Sequence, residues 1–454
     1  MHDLFDPALL RKYNINGPRY TSYPTALEFT DISDNAILDK AAQQSGSNEI
    51  SLYVHIPFCH SLCYYCGCNK IVTRHQDKAD RYLDYLEKEL ELRADILKHR
   101  TLVQLHLGGG SPSFLTEVQH TRLRDMINRV IAIAPDCEMS IEIDPRRTST
   151  AYLTHLGALG YNRLSVGVQD IDYHVQEAIN RVQSTAHIAS LVDHAKTVGF
   201  SSINLDLIYG LPHQITETFA TTLAAVKAMS ADRVSLFSYA HLPSRFAAQR
   251  KIHDDWLPTA EMKTALMKLA VSSLTQAGYI MIGMDHFAKR GDELAVARAN
   301  GTLHRNFQGY TTRNDLDLLG VGVSSISAIG NTYGQNPKTL NDYYAALDGN
   351  RPLTVRGYTL TQDDIIRRDL IMSLMCNLQV DISAFEKKHD IEFARYFEDE
   401  IQHLIPFIND ELLTIDNTGI HIASHARLVI RVICMTFDAY LKQTQHLNRY
   451  SRVI

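Results

Sequence analysis

From residue 51 to about 240 the chain alternates short runs of β-branched and aliphatic residues with longer stretches of helical period, and few folds can absorb that rhythm. Strands separated by helices cannot pair as hairpins, so they line up as parallel neighbours with each helix as a crossover. The runs are SLYVHI (51–56), VQLHLG (103–108), EMSIEI (138–143), NRLSVGV (162–168), SINLDLI (202–208) and DRVSLFSY (232–239). Between the first two, KADRYLDYLEKELELRADILK (78–98) repeats Tyr82, Tyr85, Leu86, Leu90 and Ile96 at helical spacing. Six βα units fall short of the eight that close a TIM barrel. An open, partial (β/α)6 TIM-like barrel of α/β class is expected, with a cleft along one side and its chemistry at the carboxyl ends of the strands. GYIMIGMDHF (278–287) and DLLGVGVSSISAIG (317–330) would continue its wall.

After about residue 345 the alternation stops. Helix candidates at 363–376 and 382–389, a hairpin candidate at 411–424 with Asn417 and Gly419 in its turn, and a last helix candidate over about 425–443 describe a small, mostly helical, winged-helix-like unit. The opening stretch INGPRYTSYPTALEF (15–29) is rich in proline, tyrosine and turn formers and reads as an extended arm. The expected division is an arm (1–49), a barrel (50–345) and a C-terminal helical unit (346–454), since 454 residues are too many for one core. A net charge of -6 argues against nucleic acid, whose binders carry a clustered basic excess, and makes the C-terminal unit a lid or support. MHDLFDPALLRKYN does not read as a signal peptide and no apolar run approaches a membrane span, so no membrane partner is expected, and the cysteine usage described next points to the cytoplasm.

Seven cysteines is an odd number, and four of them fall in FCHSLCYYCGCNK (58–70), directly after the first strand. That suits metal ligation in a reducing compartment better than a disulfide framework. Cys137, Cys376 and Cys434 stand alone in apolar stretches, as small buried hydrophobes do. The cluster reads C-x3-C-x2-C-x-C. If Cys59, Cys63 and Cys66 each bind one iron of a [4Fe-4S] cubane, the fourth iron keeps no thiolate and can accept the amino and carboxylate groups of S-adenosylmethionine (SAM). The competing reading is a zinc-stabilised binding module without catalysis. Against it, the single residue between Cys66 and Cys68 strains a shared tetrahedron, and no second distant cysteine pair exists.

At the end of the second strand, LGGGSP (107–112) lets bare backbone approach a ligand, with the SAM amino group as the candidate. Polar residues also fall at strand ends, where a core should hold none: Glu142, Gln169 with Asp170, Asp206, and Tyr239 with His241. A buried charge there is costly unless it is paired or binds something, and their shared rim favours a ligand pocket.

Together with GPRYTSYPTALEF, YVHIPFCHSLCYYCGCNKIVTR, IEIDP, SVGVQD, NLDLIYGLP, YAHLP, GMDHFA, HRNFQGYTT, LLGVGVSSIS and RRDLIMSLMCN, these motifs span nearly the whole chain. In them the sequence resembles the oxygen-independent coproporphyrinogen III oxidases of haem biosynthesis, a radical SAM family. The resemblance implies a 5′-deoxyadenosyl radical that takes hydrogen from the propionate β-carbons of rings A and B. The substrate radical then loses carbon dioxide and passes one electron to an external acceptor, leaving a vinyl group, and the product is protoporphyrinogen IX. It assigns Cys59, Cys63 and Cys66 to the cluster, and SAM contacts to Tyr53, Tyr65, Gly109, Gly110, Ser111, Glu142, Gln169, Arg181, Asp206, Ala240 and Ile326. Two SAM molecules are implied, with Phe307 and Gln308 as further candidates for the second. Ser111 stands where the family pattern has threonine and keeps the hydroxyl. Cys68 is outside the ligand set and is either a residue for substrate handling or an inert thiol beside the cluster. Arg19, Lys70 and Arg74 are candidate partners for the substrate's carboxylates. A small electron-transfer protein is the implied reductant, and a monomer is expected. The related radical SAM haem chaperone shares the three cysteines and the glycines, whereas CNKIVTR and the GPRYTSYPTA arm favour the oxidase.

Overall fold

Six strands form where the alternation predicts them: β1 Glu49–Ile56, β2 Thr101–Gly109, β3 Ala132–Ile143, β4 Arg163–Gln169, β5 Ser202–Tyr209 and β6 Arg233–Ser238. They pair in parallel and in chain order. The structure is a computed structural model that describes residues 4–452 except 35, 315, 350, 444–449 and 451, so the outermost residues of the expected arm and C-terminal unit lie outside it. Leu52, Val54, Ile56, Leu105, Leu107, Ile141 and Ile143 are buried in the main core with Tyr82, Leu83 and Leu86 of the helix Asp77–Leu92. Each such side chain contributes roughly 1.5–3 kcal/mol of apolar burial. The helix Glu117–Val130 starts at a capping box, with Thr116 Oγ1 accepting from Gln119 N and Gln119 Oε1 accepting from Thr116 N.

The sheet runs on past these six strands. On one side β6 pairs antiparallel with β8 (His286–Lys289), which pairs with β7 (Tyr279–Met281). On the other, β9 (Asp317–Val321) lies parallel to β1 and is followed by antiparallel β10 (Ile326–Ile329), β11 (Thr332–Gln335) and β12 (Arg356–Thr359). The pair Thr30–Asp31 closes that edge against β12. The partial barrel is therefore open, as the count of six units requires. Its sheet also recruits residues from both flanks, crossing positions 50 and 345.

Each of the two continuing segments read as one run is in fact two strands. Segment 278–287 turns back between β7 and β8 because Gly283 lies against the ring of Tyr310, leaving no room for a side chain. Segment 317–330 turns between β9 and β10 around the fully buried Glu89, which accepts from Gly322 N (2.6 Å), Asn336 Nδ2 (2.7 Å) and Tyr343 Oη (2.6 Å).

In the C-terminal region the helices Gln362–Asn377 and Ile382–His389 appear at the expected places, and a helix Glu398–Asn409 joins them. The hairpin Leu413–Ile415/Gly419–Ile422 gains a third strand, Gln379–Asp381. The last helix is broken: a 3-10 turn Ser424–Val429 leads into Ile430–Met435, and a new helix starts at Ala439. Buried Asp438 causes the break by accepting from Tyr440 N (3.0 Å) and from Tyr20 Oη of the arm (3.0 Å). The arm is thereby pinned to this unit, and Arg431 donates to the carbonyls of Gly17 and Pro18.

Candidate active site at the strand ends

The loop that carries the cysteines is pinched at its neck. After β1, Phe58–Cys59 pairs in parallel with Ile71–Val72, and Ile71 N and Thr73 N donate to the carbonyls of Pro57 (2.7 Å) and Cys59 (2.9 Å). Asn180 Nδ2 holds the Leu62 carbonyl at 2.7 Å, Gln249 Nε2 the Tyr65 carbonyl at 2.9 Å and Lys70 Nζ the Cys66 carbonyl at 2.9 Å. Hydrogen bonds from several elements thus hold the backbone of a loop rich in thiols.

The glycine triplet supports that neck. Gly110 N donates to the Ile56 carbonyl (2.8 Å) and Ser111 N to the Phe58 carbonyl (2.9 Å). A Cβ on Gly110 would lie 2.7 Å from the Pro57 carbonyl carbon and oxygen, and one on Gly109, at φ +113°, would lie 2.6 Å from the His55 ring. The close approach that glycine allows here is first to the cysteine loop itself.

Eleven of the fourteen expected residues line one cavity of about 220 Å³: the three cysteines, Tyr65, Gly109, Gly110, Ser111, Glu142, Gln169, Arg181 and Asp206. Lys70 and Cys68 line it too. The other three lie outside it. Tyr53 stacks on His106 (ring centroids 5.8 Å apart), whose Nε2 lies 3.1 Å from Glu142. Ala240 lines a neighbouring cavity. Ile326 packs in a small apolar cluster with Phe307. Arg74 is exposed, and Cys137, Cys376 and Cys434 are buried.

Charge is concentrated around Cys63. Arg146 Nη2 and Arg181 Nη1 each lie 3.4 Å from its Sγ, and both arginines pair with Asp144, at 2.6 and 3.6 Å. Burial opposes the charged form of Asp144, yet Arg181 and Arg146 hold its carboxyl below the usual range. Arg181 also donates to the Gly167 carbonyl at 2.8 Å, and a Cβ on Gly167 would strike its guanidinium. Gln169 beside it adopts φ +64° at an irregularity in the β4/β5 register, a left-handed backbone that a non-glycine residue keeps only where its surroundings impose it. Cys66 is favoured as thiolate by its hydrogen bond with Cys68; burial works against this and Lys70 for it. Burial pushes the Cys59 thiol up to about 12, with Cys66 and Cys63 adding to the effect.

Sequence reasoning did not anticipate Arg146 or the polar lumen. Gln104, His106, Glu138, Ser140, Ser165 and Asn204 line, with Glu142 and Asp206, a cavity of about 370 Å³ inside the barrel. At its far end Arg233 pairs with Asp292 and Glu293, and Arg163 with Glu293. Burial, then the charge of Glu142, pushes Asp206 up to about 6, against hydrogen bonds from Ser165 (3.0 Å) and Asn204 (2.8 Å). Gln308, on the turn of the hairpin His304–Asn306/Gly309–Thr311, faces the same lumen, and its amide nitrogen is buried without a hydrogen-bond partner. Asp170, by contrast, is a structural anchor. Fully buried, it accepts from Gln214 Nε2 (2.6 Å), Thr222 Oγ1 (2.9 Å) and Asp172 N (2.7 Å).

The residues present fit an iron–sulfur cluster with an organic ligand beside it. Among the described residues no three His, Cys, Asp or Glu side chains stand close enough to share one metal ion; a cubane asks instead for one thiolate at each of three separate irons. Arg181 Nε, in the wall of the 220 Å³ cavity, is a buried donor with no partner, as expected of a group that meets a ligand. No helix among the described residues is long and apolar enough to cross a membrane.

Comparison with known proteins agrees with this arrangement. Residues 53–226 match the family model for the radical SAM superfamily, and residues 360–429 that for the HemN C-terminal domain. The oxygen-independent coproporphyrinogen III oxidase of Salmonella typhimurium is 52% identical over 450 residues, covering 99% of this chain and 98% of that protein. Its Escherichia coli counterpart is 51% identical over 451 residues, again covering 99% and 98%. A solved structure described as coproporphyrinogen III oxidase (HemN) from Escherichia coli, a radical SAM enzyme, superposes with a TM-score of 0.92 at 50% identity, covering 96% of this chain and 99% of that one. The chain belongs to the oxygen-independent coproporphyrinogen III oxidase family of radical SAM enzymes.

Proposed function

We propose that the protein converts the propionates on rings A and B of coproporphyrinogen III into vinyl groups, with loss of carbon dioxide and without oxygen, yielding protoporphyrinogen IX for haem biosynthesis. The observation that carries this reading is end-to-end identity of 52% to an enzyme of that name; the gathering of eleven expected residues around one cavity supports it. As a radical SAM enzyme it uses a [4Fe-4S] cluster and SAM. Once bound, these supply the carbon-centred radical that removes a hydrogen atom from the propionate β-carbon.

The chain's own residues prepare that chemistry. Cys59, Cys63 and Cys66 would hold three irons, and Arg146 and Arg181, each 3.4 Å from Cys63 Sγ, would offset the negative charge of the ligand there. Tyr65, Gly109, Gly110, Ser111, Glu142, Gln169, Arg181 and Asp206 would bind SAM in the cavity they line, with Tyr53, Ala240 and Ile326 contributing at its margins. Glu142 and Asp206 are acceptors for amino and hydroxyl groups. A second SAM would use the lumen under Gln308, whose buried amide nitrogen lacks a partner. The reading includes a cytoplasmic monomer reduced by a small electron-transfer protein, and folding units divided near residues 50 and 345.

Anaerobic incubation of reconstituted protein with SAM, a reductant and coproporphyrinogen III tests this. Protoporphyrinogen IX and 5′-deoxyadenosine should form together. Haem transfer without vinyl formation would sink the reading.

A further inference from the structure

A second cavity opens beside β6. The consecutive residues Phe237 and Ser238 part company there: Phe237 lines the cysteine cavity, and Ser238 lines this one, of about 390 Å³. Tyr239, Ala240 and His241 carry the shared wall onward. Gln249 clips that wall to the cysteine loop, its Nε2 donating to the carbonyls of Tyr65 (2.9 Å) and Ala240 (3.2 Å). The two spaces are therefore neighbours held in fixed relation.

Charge sets the second one apart. In a chain of net charge -6, Arg19 from the arm meets Lys263, Arg431 and Arg452 around one space. Arg431 is buried and donates to the carbonyls of Gly17, Pro18 and Arg452. Lys263 Nζ donates to the Tyr239 carbonyl at 3.0 Å. Burial, then the like charges of Arg19 and Arg452, lower the Lys263 pKa. Burial, then Arg19, lower that of Arg431 to about 10, although Asp285 works the other way. Asp285 itself is engaged by His286 Nδ1 at 2.7 Å. Like charges gathered at close quarters cost folding energy that an incoming anion would return.

Arg19 is placed with care. Its neighbour Tyr20 adopts φ +46°, is buried and donates to Asp438 at 3.0 Å, while Arg305 Nη1 holds the Arg19 carbonyl at 2.8 Å. A left-handed aromatic residue persists only where the surroundings over-determine it. Here it fixes the backbone from which an exposed guanidinium reaches the cavity.

We propose that this cavity anchors propionate carboxylates of the tetrapyrrole substrate, with Arg19 and Lys263 as the pairing cations and Arg431 as the fixed charge beneath them. The inference rests on the oxidase reading and extends it to the substrate. Coproporphyrinogen III carries four propionates, of which two react; the two that survive on rings C and D still need partners as the macrocycle leaves water. A guanidinium fork suits a carboxylate in two-point contact. Tyr209 and Tyr239 also line this cavity, and aromatic rings pack favourably on a flat pyrrole.

The test is binding of oxidised coproporphyrin III, a fluorescent tetracarboxylate, to cluster-loaded protein carrying Arg19→Gln, Lys263→Gln or both. Iron content and circular dichroism are matched to the wild type first. Kd should rise about tenfold for each single variant, the loss of one charge-assisted contact, and further for the double variant. With coproporphyrinogen III, KM should rise while kcat stays within about twofold of the wild type, since the reacting propionates lie elsewhere. Arg19→Lys, which keeps the charge but not the fork, should bind more tightly than Arg19→Gln and less tightly than the wild type, an ordering that a purely structural role for the arm would not predict. Arg129→Gln, on the outer surface of the helix Glu117–Val130, should leave Kd and KM alone. Unchanged Kd and KM in both single variants and the double variant overturn the inference while wild-type turnover leaves the oxidase reading standing. If the wild type makes no protoporphyrinogen IX, the functional reading fails and this inference falls with it.

Discussion

Replacing Gly110 by alanine adds one methyl group at a place where the backbone of the cysteine loop blocks it. The new Cβ would stand 2.7 Å from both the carbonyl carbon and the oxygen of Pro57 and 2.9 Å from the Phe58 oxygen, up to about 0.7 Å inside ordinary van der Waals contact. No flexible side chain can yield there, since every atom it meets is main chain. Relief requires the two segments to part, which stretches the bonds from Gly110 N to Ile56 O and from Ser111 N to Phe58 O. Overpacking of this kind costs roughly 1–3 kcal/mol, and each weakened backbone hydrogen bond about 1 kcal/mol more. That cost falls on the neck that positions Cys59 and, through the loop, Cys63 and Cys66, while the helices and outer strands keep their packing. Gly110→Ala should therefore fold with native-like circular dichroism yet take up well under half the wild-type iron on anaerobic reconstitution and lose its visible absorption in parallel. Gly291→Ala, where an added Cβ meets nothing within 4 Å, should load fully. A Gly110→Ala protein with full iron content and wild-type turnover would refute the view that the glycine triplet exists to seat the cysteine loop.

Arg146→Gln removes one of the two cations 3.4 Å from Cys63 Sγ and should make the cluster harder to reduce. A lost contact of about 1.4 kcal/mol corresponds to roughly 60 mV toward more negative potential for one electron, and a potentiometric titration showing no shift would count against the contact. Asp206, pushed up to about 6 by burial and Glu142, binds its proton more tightly folded than unfolded. Wild-type stability should then fall as pH rises from the usual carboxylate range to about 6 and stay lower beyond it. In cluster-free protein the stability advantage of Asp206→Asn should accordingly grow between about pH 4 and pH 6, by an amount on the order of 2 kcal/mol read as a widening Tm difference; an advantage that shrinks over that interval would refute the assignment. Asp170→Ala strands Gln214 and Thr222, which both donate to that carboxylate. It should lower thermal stability by about 2–4 kcal/mol, read as a drop in Tm of the whole protein.

The parts of the site that could be read in the sequence are those in which chemistry is written along the chain. Three thiols at C-x3-C-x2-C, and a glycine run one βα unit later, need no tertiary knowledge to be grouped. Arg146 was hidden because an arginine just past a strand is ordinarily a solvated charge; only the approach of two separate strand ends brings it to Cys63. The turns at Gly283 and around Glu89 were hidden for the same reason, since a tyrosine at 310 and a carboxylate on a helix more than two hundred residues upstream decide where the chain reverses.

The lumen is the instructive case. Gln104 and His106 in β2, Glu138, Ser140 and Glu142 in β3, Arg163 and Ser165 in β4, and Ser202, Asn204 and Asp206 in β5 alternate with buried Leu105, Met139, Ile141, Leu164, Ile203 and Leu205. By itself such a period-2 pattern describes a sheet with one wet face, and only the crossover helices show that the wet face is turned inward. That inversion also explains why the barrel stays open. A closed eight-stranded barrel fills its interior with layers of bulky branched side chains, whereas an interior of carboxylates, amides and hydroxyls gains nothing from closing on itself. Its polar groups pair across neighbouring strands instead, Gln104 with Glu138, His106 with Glu142 and Ser165 with Asp206, so the lumen needs no apolar filling layer to satisfy them.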